Sequence, residues 1–251
     1  MKVSIITSCF NRAGVISDTI KSVLGQDYPD IEYIVVDAAS TDGSIDVIRS
    51  FGDKIAKFKS EPDKGIYEGL NKGIRMATGD IVGILHSDDT FYANDVISLV
   101  VAEMQRTGAD FVYGNGIFVK ASDPNYVVRD WVSKGYVRDN VKKGWLPLHT
   151  TCFVRREVFD KVGLYNESYK ISADTDWLVR CLYVNSLKVA YVNRYIVRMR
   201  MGGASTNFKL MKTKTSEDLK IYKSHGIGTF FPVSLKILSK IPQFVKAYFK
   251  Q

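Results

Sequence analysis

Residues 81–85, Ile-Val-Gly-Ile-Leu, form a short apolar run that stops abruptly at His86-Ser87-Asp88-Asp89. A run this short, preceded by Gly79 and followed by polar residues, reads as a strand covered on both faces rather than as a helix. Strands of that kind belong to parallel sheets with helical crossovers, and such sheets bind ligands outside the carboxyl ends of their strands. Asp88 and Asp89 stand at that end, where two adjacent acids can hold a hard divalent cation through oxygen. Taken alone, the pair could equally open a loop and cap the helix that follows. The remainder of the chain has to decide.

It does so by alternation. Residues 3–7 read as a buried first strand, followed by the polar turn Ser8-Cys9-Phe10-Asn11-Arg12. A helix with Val15/Ile16, Thr19/Ile20 and Val23/Leu24 on one face runs toward Tyr28-Pro29. Residues 31–36 form a second strand ending in Asp37, so the pair is parallel with a right-handed crossover. An acid at that position can accept hydrogen bonds from a nucleobase or ribose, or simply serve the turn. Neither a glycine-rich dinucleotide fingerprint nor a phosphate-loop lysine follows the first strand, so phosphates would need another holder, with a metal ion the obvious candidate. Residues 55–60 make a third strand. Asp63 and Lys64 lie in the turn after it, and the helix with Ile66, Leu70, Ile74 and Ala77 on its apolar face closes at Gly79.

Beyond a helix bearing Val96, Leu99 and Met104 and a strand at 111–113, Gly114-Asn115-Gly116 reads as a tight turn leading into antiparallel segments at 117–120 and 126–128. His149 precedes a strand at 151–155. It reads as a hydrogen-bonded structural histidine or as a metal or phosphate contact. A helix starts at or just after Asp174, which suits a cap or a general base at the mouth of a cleft. Residues 188–192 and 195–199 read as two strands. The loop at 200–205 carries Gly202, Gly203 and Ser205, whose backbone could approach a diphosphate closely.

Charge is distributed unevenly. The net charge is +8, and from Ser205 onward nine lysines face only Glu217 and Asp218. A nucleic-acid binder would spread its positive charge over the fold, so no nucleic-acid partner is expected. From Pro232, Val233, Ile237, Ile241, Phe244/Val245 and Tyr248 share a helical face that Pro242 interrupts, consistent with a helix docked on the body, with a basic amphipathic helix on an anionic membrane, or with both. Cys9, Cys152 and Cys181 have neither zinc nor redox spacing. No apolar run is long enough to span a bilayer, and the first residues lead directly into a strand, so the expected location is the cytoplasm, with the tail bringing the protein to the inner face of the plasma membrane.

In combination these motifs are specific. Val35-Val36-Asp37 with Ser40-x-Asp42-Gly43, Asp63-x-Gly65 with Asn71-x-Gly73, Ala77-x-Gly79-Asp80, Leu85-x-x-Asp88-Asp89 and Asp174-x-Asp176-x-Leu178-x-x-Arg180 resemble the family 2 glycosyltransferases of the GT-A fold, in particular small bacterial members that build O-antigen, capsule and colanic-acid-type polysaccharides. The resemblance implies an α/β fold with a Rossmann-like, mostly parallel sheet flanked by helices, a smaller mixed acceptor-side sheet and an amphipathic helical tail. It divides the chain into a catalytic domain at 1–205, comprising a nucleotide-sugar half at 1–113 and an acceptor half at 114–205, and a basic extension at 206–251. It further implies that Thr7, Asn11, Asp37, Asp63, Lys64, Ser87, Asp88 and Asp89 bind the donor and that Asp88, helped by Asp89, ligates Mg²⁺ or Mn²⁺. Asp174 would deprotonate the acceptor, and His149, Gly202, Gly203 and Ser205 would touch acceptor or phosphate. The partners implied are a nucleotide-diphosphate sugar, with uridine diphosphate expected by family frequency, and a polyprenyl-diphosphate-linked saccharide. His86 stands where the family's metal motif has its first acid, and Ala173 where many members carry Glu. The Gln-x-x-Arg-Trp motif of processive synthases is absent, which points to addition of a single sugar. A sugar-nucleotide-binding protein without turnover is the alternative that the altered metal motif keeps open. A nucleotidyltransferase is disfavoured by the missing glycine-rich cradle.

Overall fold

The computed structural model describes residues 1–185, 187–202 and 210–248. Four strands form its parallel half: β1 (Val3–Cys9), β2 (Ile31–Asp37), β3 (Lys57–Ser60) and β4 (Ile81–Ile84), in the order β3-β2-β1-β4. Neighbouring residues on these strands go to opposite faces, as the two-residue period of a strand requires. Ile6, Ile34 and Val36 pack with α3 (Ile66–Met76), whereas Ile5, Tyr33 and Val35 pack with α1 (Ile16–Leu24) and α4 (Val96–Thr107). β4 is covered on both faces and so apolar throughout, which is what made residues 81–85 recognisable. In α3, a Cβ on Gly69 would stand 2.6 Å from Ser8 Oγ and one on Gly73 2.4 Å from Ile6 Cγ2. The two glycines, one helical turn apart, let the helix lie directly on β1.

The second half continues the same sheet. β8 (Phe153–Arg155) runs antiparallel to β4, and β6 (Phe111–Lys120) runs antiparallel to β8. β9 (Val189–Arg200) runs parallel to β6, while β5 (Thr90–Phe91) and β7 (Asp123–Trp131) pair antiparallel with β9 and β6, giving nine strands among the described residues. The mixed half is thus continuous with the parallel half. Gly114-Asn115-Gly116 is not a turn; it lies inside β6 beside an irregularity in the pairing with β9. A Cβ at Gly114 would meet Ile196 Cγ1 at 2.5 Å and one at Gly116 would meet Leu148 Cδ2 at 2.5 Å, so these glycines admit neighbours rather than reverse the chain. The two strands expected at 188–192 and 195–199 are one, because parallel pairing with β6 carries the backbone through the intervening residues. The helix expected to close at Gly79 ends at Ala77; Gly79 instead donates its N–H to Ser4 Oγ.

The body also contains the short helices α2 (Ser44–Arg49), α5 (Glu157–Val162) and α6 (Ala173–Val179), and three helices of the extension, α7 (Met211–Ser224), α8 (Phe230–Leu238) and α9 (Ile241–Tyr248), pack on it. Ile221 and Tyr222 of α7 are fully buried in the cluster that holds Trp177. On α8, the carbonyl oxygen of Pro232 lies 2.0 Å from where a Gly144 Cβ would stand, and Gly144 has φ +78°. α9 rests on β7, where Gln243 accepts a hydrogen bond from Arg129. The apolar stripe expected to dock does so only in part. Val233 and Ala247 are buried, but Ile237, Ile241, Phe244, Val245 and Tyr248 face outward together with Phe230, Phe231 and Leu238. Pro242 lies in the first turn of a new helix, where its missing N–H costs nothing, so the segment breaks in two instead of kinking. No described helix is long and apolar enough to cross a membrane.

Candidate active site

The carboxyl ends of β1 and β4, the loop before α6, β7 and the C-terminal helices enclose a cleft of about 1170 Å³. On the β1 side it is lined by Ser8, Asn11, Arg12, Ala38 and Asp63, and at the end of β4 by His86, Ser87, Asp88 and Asp89. Asn11 has φ 50°, and its side-chain oxygen accepts the Thr41 N–H, tying the loop after β1 to the loop after β2. Asp63 caps its own turn by accepting the Gly65 N–H at 2.9 Å, and burial holds its carboxyl above the ordinary range.

Thr7 and Asp37, expected to meet the base and ribose, lie beneath this wall. The Thr7 hydroxyl is buried and donates to the Leu85 carbonyl, locking β1 to β4. Asp37 is fully buried; it accepts from the Ser40 N–H, the Ser40 hydroxyl and the Ser60 hydroxyl, and so shapes the loop carrying Ala38 and Ala39. Both sit at the strand ends as expected, but their polar atoms are engaged in holding backbone. Lys64 is exposed and outside the lining, and its backbone N–H bonds Glu68.

The two acids after β4 differ sharply. Asp88 is partly exposed to the cleft, and its Oδ2 lies 3.8 Å from Arg12 Nε. Asp89 is buried; its Oδ1 accepts the Arg200 N–H from β9, and its Oδ2 has no partner. Burial and then the Asp88 charge push the Asp89 carboxyl well above the usual range, and its bond to the Arg200 N–H fastens β9 to this loop. Mg²⁺ and Mn²⁺ can be held by one or two carboxylates, with substrate phosphates and water completing the shell. Asp88, open to the cleft, fits that role, whereas Asp89 is buried with Oδ1 committed to the Arg200 backbone. Among the described residues no three His, Cys, Asp or Glu side chains gather at metal-binding spacing, so a cation here would depend on the donor's phosphates. His86 Nδ1 is buried without a partner, and the ring lies in the fields of both Asp88 and Asp174.

Asp174 sits in the first turn of α6 and faces the cleft. Burial acts to raise its carboxyl, but Lys214, His149 and Lys236 outweigh it, and the group stays below the usual range. It is therefore ionised and able to take a proton. The loop that presents it is held from the extension: both oxygens of Glu217 accept the backbone N–H groups of Lys170, Ile171 and Ser172. Asp176 is structural, bridging Arg180 and His225 at 2.9 Å each. His149 lines the cleft but bonds the Tyr165 hydroxyl through Nε2 at 2.6 Å and lies edge-on to Trp177. Burial lowers its pKa to about 4, making it a neutral wall residue and not a cationic phosphate contact. Gly202 has φ +112°, available to glycine without strain, while Gly203 and Ser205 lie outside the described residues.

Arg12, Arg129, Lys214, Lys236 and Lys240 line the cleft without having been singled out from sequence. Arg12 directly follows Asn11 in a strand-end loop and could have been found by that position. The lysines were visible only as excess charge.

Comparison with known proteins bears on the family and the fold. The model for "Glycosyl transferase family 2" matches residues 4–163. A "PGL/p-HBAD biosynthesis glycosyltransferase" of Mycobacterium bovis is 26% identical over 208 residues, covering 81% of this chain and 78% of the relative. Staphylococcus aureus TarS 1-349, solved in complex with UDP-GlcNAc, superposes on all of this chain and 73% of its own with a TM-score of 0.71 at 15% identity. Against the longer TarS structure the match covers 40% of that chain. The mannosyltransferase PcManGT of Pyrobaculum calidifontis, in complex with GDP-Man and Mn²⁺, has a TM-score of 0.64 at 19% identity, with 98% and 73% covered. At these identities the solved structures speak for the fold, and the family match spans well over half of the sequence. The chain belongs to glycosyltransferase family 2.

Proposed function

We propose that this glycosyltransferase moves one sugar, with inversion, from a nucleotide-diphosphate sugar, UDP-linked by default, to a hydroxyl of a lipid-linked saccharide in bacterial surface-polysaccharide synthesis. The observation carrying this reading is that Asp88, after β4, and Asp174, in the first turn of α6, line one cleft together with His86. The base and ribose lie along Ser8, Asn11, Ala38 and Asp63. Ser87 and Asp88 face the diphosphate, with Arg12 beside them. Asp174 receives the acceptor's proton as its oxygen attacks the anomeric carbon and the bond to the diphosphate breaks, a role worth roughly 10²–10⁴-fold in rate. Mg²⁺ or Mn²⁺ on Asp88, when bound, would offset charge on the departing diphosphate. The outward apolar residues of α8 and α9 and their lysines suit attachment to an anionic membrane surface, where a lipid-linked acceptor resides.

The test is calorimetric titration with a panel of nucleotide-diphosphate sugars, with and without Mn²⁺, followed by transfer assays. Metal-assisted binding of one donor should be lost in Asp88→Asn and kept in Asp174→Asn, while both variants lose transfer by at least about 10²-fold. Equal loss of donor binding in both would overturn the division of roles. Donor binding without transfer or slow donor hydrolysis in the wild type would favour a non-catalytic binding protein, the reading that His86 in the metal motif supports.

A further inference from the structure

Where β7 meets the C-terminal helices, the cleft contains a cationic group that the donor site does not use. Arg129 is only 7% exposed. Its guanidinium carbon lies 4.3 Å from the Trp131 ring centre, 4.8 Å from Phe118 and 5.7 Å from Phe244. Nε donates to Gln243 Oε1 at 2.6 Å, yet Nη2 is buried without a partner, and no described carboxylate pairs with the group. Lys214 and Lys240 line the same wall and also have no ion pair among the described residues. Lys236 has one, to Asp218 at 2.9 Å, and also donates to Thr175 Oγ1, next to Asp174. Burial, then the charges of Lys214, Arg129 and Lys236, push Lys240 down to about 8, with Asp218 opposing.

An arginine buried without an acid is costly, and packing alone does not explain it. Stacking on Trp131 and Phe118 would satisfy the planar faces but leaves the in-plane N–H unpaired. A planar fork of donors flanked by ammonium groups matches the oxygens of a phosphoryl group. The cluster lines the same cleft as Asp88 but stands on other elements, β7 and the C-terminal helices. In the sheet Phe118 of β6 stands between Arg129 of β7 and Met199 of β9, so Arg129 lies two strands, roughly 10 Å, from the segment that backs Asp89.

We propose that Arg129, Lys214, Lys236 and Lys240 form an anion subsite for a phosphoryl group carried by a lipid-borne acceptor, placing that acceptor's hydroxyl toward Asp174. The inference rests on the glycosyl-transfer reading above. The apolar outer face of α8 and α9 adjoins the subsite through the same two helices, which suits a phosphoryl group attached to a lipid chain. Anion binding would also offset the lysine charges that weaken Asp174 as a base, so that the base strengthens when the acceptor is in place.

The test uses the full chain with the donor site saturated by UDP, titrated with geranyl diphosphate, inorganic pyrophosphate and vesicles of phosphatidylglycerol in phosphatidylcholine. Geranyl diphosphate should bind, more tightly than pyrophosphate. Lys240→Gln, at the partly buried junction between α8 and α9, should weaken it about tenfold or more without changing UDP affinity, and Asp88→Asn, titrated without UDP, should leave it intact. Arg129→Gln should act in the same direction if it folds. Competition by UDP, or loss of geranyl diphosphate in Asp88→Asn, would put the anion in the donor site and overturn the proposal. So would pyrophosphate binding as tightly as the ester, which assigns a free-anion site, or a Lys240→Gln effect confined to vesicles, which assigns a headgroup site. Binding of UDP without any phosphoryl probe would leave Arg129 purely structural. Failure of UDP itself to bind would count against the glycosyl-transfer reading, while the diphosphate titration would still report on the subsite.

Discussion

The clearest contrast among single residues is between Asp88 and Asp89, neighbours in sequence with opposite fates. One faces the cleft, and the other is buried under β9 with its carboxyl raised above the usual range. His149 shows a second consequence of burial. Its folded pKa of about 4 lies below the ordinary 6.5, so the unfolded chain binds the proton more readily. The stability this contributes is complete above pH 6.5 and is lost as pH falls toward 4, on the order of 2 kcal/mol between pH 7 and pH 5. Asp174 faces the ring and opposes the shift, whereas His86 reinforces it, and Tyr165 holds Nε2. Urea denaturation at pH 7 and pH 5 should therefore show a smaller acid-induced loss for His149→Gln than for the wild type. Equal losses would mean that other groups control this limb. At this scale the sequence revealed which acids end strands, because that is local. It did not reveal whether an acid's oxygens face ligand or backbone, which depends on partners such as Ser60 and Arg200 that are distant in the chain.

At the scale of elements, α8 is held where Gly144 leaves room. Gly144→Ala places a side chain on backbone with φ +78° and against the Pro232 carbonyl, so α8 must shift, at a cost of about 1–3 kcal/mol. Faster amide exchange or proteolysis in α8–α9, with unchanged UDP affinity, is the expected result, and an undisturbed tail would show that the contact relaxes freely. The outward face of these helices gives a separate prediction. Phe231 and Tyr248 are 66% and 73% exposed, so replacing both with Ser should leave thermal stability within about 0.5 kcal/mol while reducing binding to phosphatidylglycerol vesicles several-fold. Unchanged vesicle binding would exclude a membrane role for this face. The helical period of the tail was legible from sequence. Which side of each helix meets the body was not, since Val233 and Ile237 look alike in the pattern and only β7 and residue 144 distinguish them.

Across the whole molecule, the extension lines the candidate cleft. Glu217 holds the loop before Asp174, Lys214 and Lys236 set its charge environment, and α7 fills the core beside Trp177. A chain ending at residue 209 should unfold at lower temperature and lose transfer, while any folded fraction keeps UDP binding through the loops after β1 and β4. Transfer at wild-type rates by that shortened chain would contradict the role given to the extension.

By itself the sequence determined the alternation of buried strands and helices, the parallel half of the sheet, the carboxyl-end position of Asp88 and the helix start at Asp174. These follow from short-range periodicity and from chemistry that must sit at strand and helix ends. Packing was needed to show that residues 114–116 continue a strand, that Asp89 is buried against β9, and that a lysine-rich tail encloses the cleft beside a buried arginine. Those outcomes depend on contacts between segments far apart in the chain, and burial, which sets both charge state and accessibility, exists only once those segments have packed.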